Sequence, residues 1–461
     1  MIYRVRGDNV RLVKFRSNNK LEIVIACFLF VIIIFISLMF YFKSYAVFRE
    51  EKHFNVINGE VQDPGDIYFA YYVDDEITRE IPKKGSGYTL DITKSNCTNG
   101  VTISFDENNY AVITSYENYN ATEYARTRCD LYFKKVKNLL FIDYINGLVS
   151  PLNETLMYDN TVDNNLRYIG ADPNNYILID GELWRIIGVM NNISDSTGNK
   201  EARLKIIRND TIGMASWDSS TISVNEGYGV NEWSQADLMK ILNPGFENQS
   251  IGGSLYYNMG TGKCYSSKLN NSAVCDFTTT GLKSDLKDLV DTIIWNVGSN
   301  GKVVTYDKVT VSRFYELERS TNTGKICSST TSSVCTDTVK RTTTWTGKVG
   351  LMYPSDYGYS TSGGDIGLEA CQNTYLYLWN NYPQCYSYSW LYSGINEWTM
   401  MPLAFNNDGG GSNAAFYLRE NYIFKNSTAG YFNIRPVVYL KRTVKIVSGI
   451  GTKENPFVIG N

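Results

Sequence analysis

The longest apolar stretch of the chain, residues 23–42, holds no charged side chain. A helix rises about 1.5 Å per residue, so this run matches the roughly 30 Å hydrocarbon core of a bilayer. Arg4, Arg6, Arg11, Lys14, Arg16 and Lys20 precede it, against the acids Asp8 and Glu22, the latter at the rim of the run. That bias predicts a transmembrane helix over 21–43, with a basic cytoplasmic tail over 1–20 and the rest of the chain outside. The run exceeds the apolar core of a cleaved signal peptide, so a retained anchor is expected. Small residues at Ser44-Tyr45-Ala46 leave cleavage after Ala46 as the alternative. Cys27 opens the apolar run rather than following it, which does not fit a lipoprotein box.

Beyond a polar linker (44–60), alternation takes over. Residues 66–73 are apolar and Tyr-rich and end at Asp74-Asp75. Residues 101–105 and 110–114 flank Asp106-Glu107-Asn108-Asn109, which predicts a hairpin. In the next strand Ala125, Thr127, Cys129, Leu131 and Phe133 share one face. These patterns predict an all-β sandwich module over 61–135. A connector (136–165) with a short helix near 136–145 leads to a larger domain, 166–445, and a tail, 446–461. Residues 176–179 and 182–189 flank Asp180-Gly181, the signature of a type I′ hairpin. Residues 203–208, 435–440 and the pair 414–418 and 422–425 read as strands, and one more strand could begin within the tail at Pro456–Ile459 by the same pattern. Helices are predicted over 231–242, capped by Ser234 and stopped by Asn243-Pro244-Gly245, and over 284–297. In the latter, Leu282, Leu286, Leu289, Val290, Ile293 and Ile294 recur at helical spacing.

Composition sharpens this picture. The chain has 461 residues and a formal net charge of −3, and discarding the basic tail leaves the remainder more acidic. Nucleic acid and anionic lipid are therefore poor partners. Of the nine cysteines, Cys27 lies in the apolar run. The others fall as couples, Cys97 and Cys129, Cys264 and Cys275, Cys327 and Cys335, Cys371 and Cys385. An even count outside the membrane reads as four disulfides, with neighbour pairing the simplest connectivity. Each closure would contribute about 2–4 kcal/mol.

Several ordered motifs stand in the second domain: Gly181-Glu182-Leu183-Trp184-Arg185, Ser216-Trp217-Asp218-Ser219-Ser220, Tyr353-Pro354-Ser355-Asp356-Tyr357-Gly358-Tyr359, Glu397-Trp398-Thr399 and Ile434-Arg435-Pro436-Val437-Val438-Tyr439-Leu440. Through them the domain resembles an uncharacterised family of surface proteins common in gut Firmicutes. The closing order, a Trp-Thr segment, a hairpin and an Arg-Pro strand, is similar to the formylglycine-generating-enzyme and C-type-lectin-like group. That resemblance implies an α+β lectin-like fold with long disulfide-stapled loops and terminal strands side by side. It does not carry the enzymes' activity, since no cysteine follows Cys385, nor calcium-dependent sugar binding, since the lectin triplets are missing. Cys97-Thr98-Asn99-Gly100 and Cys129-Asp130-Leu131-Tyr132-Phe133 resemble small immunoglobulin-like surface modules.

His53, in the linker, is the only histidine. A Ser-His-Asp or Cys-His site in the distal domain is excluded, as is a histidine metal centre. Asp356, Asp365 and Glu397 are the carboxylates that would serve a polysaccharide or cell-wall hydrolase. Asn406, Asn407, Asp408 and Asn413, around a run of glycines, form the best ligand loop, with Trp398 as a nearby aromatic. Its oxygens would suit calcium, although it lacks EF-hand spacing, and no cofactor is expected. Trp379, Trp390 and Trp398, with Tyr386, Tyr388 and Tyr392, serve either as core or as a stacking surface. The expected protein is a single-pass envelope protein displaying a lectin-like binding domain for a glycan or protein ligand. The alternatives are a carboxylate hydrolase and a structural envelope component.

Overall fold

The computed structural model describes residues 67–78, 88–91, 93–98, 100–105, 111–116, 127–135, 138–149, 153–221, 229–267, 271–298, 306–321, 339–403 and 413–461. The basic tail, the apolar run with Cys27, the linker with His53, the couple Cys327 and Cys335, and Asn406, Asn407 and Asp408 lie outside the described residues. Among the described residues no helix is long and apolar enough to cross a membrane. Two compact units are distinguished: Met1–Tyr68 with Asn120–Arg128, and Phe69–Tyr119 with Cys129–Asn461. Of the first, only the ends of two strands are described. The second is mostly β-sheet with few helices.

Its N-terminal part is a five-stranded antiparallel sheet. Glu76–Thr78, Ile67–Val73, Thr127–Lys135 and Tyr88–Leu90 follow in that order, and Asn96–Cys97 also pairs with Thr127–Lys135. Asp74 and Asp75 both take positive φ, 48° and 72°, so the chain reverses tightly between the first two strands. Along Thr127–Lys135 every second residue is buried, and Cys129, Leu131 and Phe133 form the inner row. Cys97 faces Cys129 directly in register, and the two are bonded with Cα atoms 4.0 Å apart. The hairpin Val101–Phe105 and Ala111–Tyr116 forms as its polar turn predicts.

A nine-stranded mixed sheet organises the rest. Its path runs Val349–Gly350, Val437–Tyr439, Lys200–Arg208, Glu182–Ser194, Tyr176–Ile179, Phe457–Gly460 and Lys445–Ser448. Leu166–Tyr168 adds to the long strand Glu182–Ser194, and Leu156–Tyr158 adds to it in turn. Asp180 and Gly181 sit at φ 51° and 78°, the left-handed pair that a type I′ turn requires. Gly188 is fixed by a different demand. A Cβ there would lie 2.1 Å from the carbonyl oxygen of Leu166, so glycine is what lets Leu166–Tyr168 pair this closely. The stretch 446–461, read above as a tail, supplies most of one strand and all of another. Phe457–Gly460 runs parallel to Tyr176–Ile179, pairing Phe457 with Ile177.

A second sheet orders Met214–Ser216, Tyr431–Asn433, Glu397–Pro402, Ala414–Arg419 and Tyr422–Ser427. One continuous core is centred on Trp184, Trp217, Trp233, Trp295, Trp379 and Trp398, each almost wholly buried. Two disulfides staple the peripheral segments: Cys264–Cys275 across a two-stranded hairpin and Cys371–Cys385 between two short helices. All three neighbour couples among the described residues are thus bonded.

Two helix expectations need correction. The stripe over 284–297 is helical only at Ser284–Leu289. Ile293–Asn296 is a strand paired with Thr344–Gly347, because the β-branched Ile293-Ile294 and the flat Trp295 ring favour the pleated surface. The helix over 231–242 is instead a single 3₁₀ turn, Trp233–Gln235, followed by the helix Asp237–Leu242. Ser234 does not cap it. Its amide and hydroxyl both donate to Glu232, and Asn243 ends the helix as expected.

Candidate ligand-binding surface

The motifs of the second domain resolve into buried pins. Asp356 opens the helix Pro354–Tyr359, where its Oδ2 accepts from the backbone of Tyr353 at 2.8 Å. Its Oδ1 accepts from Arg167 at 2.8 Å and its Oδ2 also from Lys205. Arg167 in turn holds Asp159 at 2.9 Å. Burial alone would push the Asp356 carboxyl up, but the charges of Lys205 and Arg167 outweigh it and hold the pKa below the ordinary range. Burial pulls Lys205 down to about 8, and Asp356 keeps it cationic at neutral pH. Three rings enclose that ammonium, Tyr353 at 4.0 Å, Tyr439 at 5.6 Å and Trp295 at 5.9 Å.

The other motifs behave alike. Arg185 lies between the rings of Tyr176 and Trp390, at 4.1 and 4.6 Å, and donates to Asn175 at 2.8 Å. Glu397 accepts from Arg435 at 2.7 Å and from Ser393. Asp218 accepts from the amide of Val230 at 2.6 Å, while Asp237 accepts from the amides of Ser219 and Ser220 at 3.1 and 2.9 Å. Burial first, and the neighbouring Asp237 second, raise the pKa of Asp218 well above its ordinary value. Arg167 and Lys205 escaped the motif reading. Their signal is a cation with apolar residues on both sides, Leu166-Arg167-Tyr168 and Leu204-Lys205-Ile206.

Glu318 also sits in this network. It ends the helix Val311–Glu318 and accepts from the amide and hydroxyl of Ser355 at 2.9 and 2.6 Å. Burial pushes it up to about 7, against the opposing pull of Arg319. An acid whose folded pKa is raised holds its proton longer in the native state. Its favourable contribution is therefore complete below about pH 4.5 and is lost as pH rises towards 7. Glu318→Gln should flatten the fall in unfolding free energy between those limits, by on the order of 3 kcal/mol in total. Denaturant titrations of parent and variant across that range check it.

Asp356 and Glu397 are therefore each neutralised by a buried cation in separate pairs, and Asp365 lies on the surface. Trp398 is buried, and its Nε1 donates to the carbonyl of Ala215 at 3.0 Å. Asn413 is buried as well. Neither therefore presents itself to solvent beside the glycine-rich run. Among the described residues no group of three acidic, Cys or His side chains is placed to hold a metal ion.

The aromatic cluster divides cleanly. Trp379, Trp390 and Trp398 are core, and Tyr386 is partly buried. Tyr375, Tyr382, Tyr388 and Tyr392 keep 38–43% of their surface in water. All four belong to the segment stapled by Cys371–Cys385 or border it. Tyr392 packs on Tyr386 with ring centres 5.2 Å apart. A Cβ on Gly364 would lie 2.7 Å from Cε2 of Tyr388, so that ring rests directly on the backbone beside Asp365. The bridge from Thr361 to Ser389, and the amide of Ser362 donating to the carbonyl of Tyr388 at 3.1 Å, fix the two stretches together. Half-exposed tyrosines on a rigid, cross-linked support form the strongest candidate contact surface here. No protein-family model, curated protein or solved structure matches the chain.

Proposed function

We propose that this chain is a single-pass envelope protein with its N-terminus in the cytoplasm. It carries its β-rich, disulfide-stapled domain outside the cell to bind a glycan. In this reading residues 61–135 form an immunoglobulin-like sandwich that acts as a spacer, and the larger domain is lectin-like. The apolar run over 23–42, with its basic flank, supports the anchor. The carrying observation for binding is the group of exposed tyrosines around Cys371–Cys385. A tyrosine ring offers a flat apolar face to a sugar's C–H groups and a hydroxyl to its oxygens. Carboxylate-dependent hydrolysis is the weaker reading, because Asp356 and Glu397 already spend their charge on Lys205, Arg167 and Arg435.

Screening the detergent-solubilised full chain against an array of wall and host glycans tests the proposal. Tyr388→Ala combined with Tyr392→Ala should weaken any retained glycan at least tenfold, as the loss of two aromatic contacts at about 1 kcal/mol each would give. Thermal unfolding should be unchanged. Binding that ignores both substitutions would reject this surface.

A further inference from the structure

The tyrosine surface has a charge character of its own. Between Lys348 and Arg419 the sequence contains no Lys, Arg or His. The described surface of that stretch does carry carboxylates. Asp365 and Glu369 are exposed, and neither has an ion-pair partner among the described residues. Asp365 follows Gly364, on which Tyr388 rests, and Glu369 stands in the first turn of the helix Leu368–Asn373. That helix leads through Cys371 to the staple. Exposed amides at Asn373, Asn380 and Asn381 complete the local chemistry. The inward-turned acids have cation partners, Asp356 in Lys205 and Arg167, Glu397 in Arg435 and Glu182 in Arg208. Asp365 and Glu369 remain as exposed acids beside the tyrosines.

Resting on the glycan reading above, we infer that the ligand is a cationic amino-sugar polymer, whose free ammonium groups meet Asp365 and Glu369 while its ring faces stack on Tyr388 and Tyr392. Two forces act on the same ligand. Tyrosine faces attract both apolar ring C–H groups and ammonium charge. Unpaired surface carboxylates add a salt-dependent attraction. An anionic polymer, such as a uronic-acid or phosphate-bearing chain, meets the two acids here, and the basic groups Arg419 and Lys425 stand to the other side, by the rings packed around Tyr377.

The test uses the full chain in detergent and two oligomers of one backbone, β-1,4-linked glucosamine and its fully N-acetylated form, with a uronic-acid oligomer as a third probe. In mildly acidic, low-salt buffer the glucosamine oligomer should bind at least tenfold more tightly than the N-acetylated one. Added salt should erode that preference. Asp365→Asn with Glu369→Gln should remove the preference for the glucosamine oligomer. Tyr388→Ala with Tyr392→Ala should weaken both oligomers. Unchanged thermal unfolding establishes that each variant is folded. Equal binding of the two oligomers by a Tyr-dependent site would overturn the charge inference and leave the glycan surface standing. Tightest binding of the uronic-acid oligomer would overturn it too. No binding of any oligomer would count against both readings.

Discussion

Asp356→Ala should cost about 3–5 kcal/mol of stability, the range for removing one member of a buried ion pair. The loss has three parts. Lys205 would remain inside a ring of tyrosines and a tryptophan with no counter-charge. Arg167 would keep only Asp159. The amide of Tyr353, at the start of the helix Pro354–Tyr359, would lose its acceptor. Most of the cost is therefore the dehydration of cations left behind rather than the strength of the bonds lost. A second variant separates the two. Asp356→Leu combined with Lys205→Met removes both charges from the pair, and should recover a substantial part of the loss, with Arg167 still served by Asp159. Chemical unfolding of the full chain, followed by tryptophan fluorescence, measures both. Equal destabilisation by the single and double variants would show that packing, not uncompensated charge, governs this site.

Trp398→Ala is the other large expected effect, again about 3–5 kcal/mol, as for large-to-small changes in close-packed cores. Trp398 is 1% exposed. Its ring meets Phe432 at 4.7 Å and Tyr417 at 6.1 Å, and its Nε1 ties Glu397–Pro402 to Met214–Ser216 through Ala215. Truncation would open a cavity between the strands of the second sheet and strand the carbonyl of Ala215. Trp398→Phe keeps much of the volume and should cost far less. Measured per folded molecule, ligand affinity should be the same in both variants. A selective loss of binding by well-folded Trp398→Phe would instead make this residue part of the ligand surface. By contrast, Tyr388→Ala should move stability by no more than about 0.5 kcal/mol, as surface changes usually do.

Local rules read well in this chain. Asp180-Gly181 announces its own turn because few residues tolerate positive φ at both positions. Cys264–Cys275 and Cys371–Cys385 pair across short loops, whereas Cys97–Cys129, 32 residues apart, is brought together by strand register. The apolar stripe over 284–297 misled because a helix followed directly by a strand can imitate a continuous period of 3.6. Long-range chemistry was far less legible. Arg167, Lys205 and Asp356 come from distant parts of the chain, and no spacing rule brings them together. The same holds for the aromatics. Trp390 and Tyr392 are two residues apart, yet one is core beneath Arg185 and the other stands in water. Which of a dense aromatic group faces solvent depends on what packs behind it, and that information lies elsewhere in the sequence.

The parallel strand at Phe457–Gly460 has a consequence for how the domain comes into being. Its partner, Tyr176–Ile179, emerges from the ribosome long before it. Until the later strand arrives, Tyr176–Ile179 presents an unpaired edge, and the sheet between it and Lys445–Ser448 cannot close. Pairings so distant along the chain form slowly, because their loop entropy is spent before any contact rewards it. On the proposed route to the outside of the cell, that delay would keep the chain pliable during passage, its sheet locking only once the far strand had crossed.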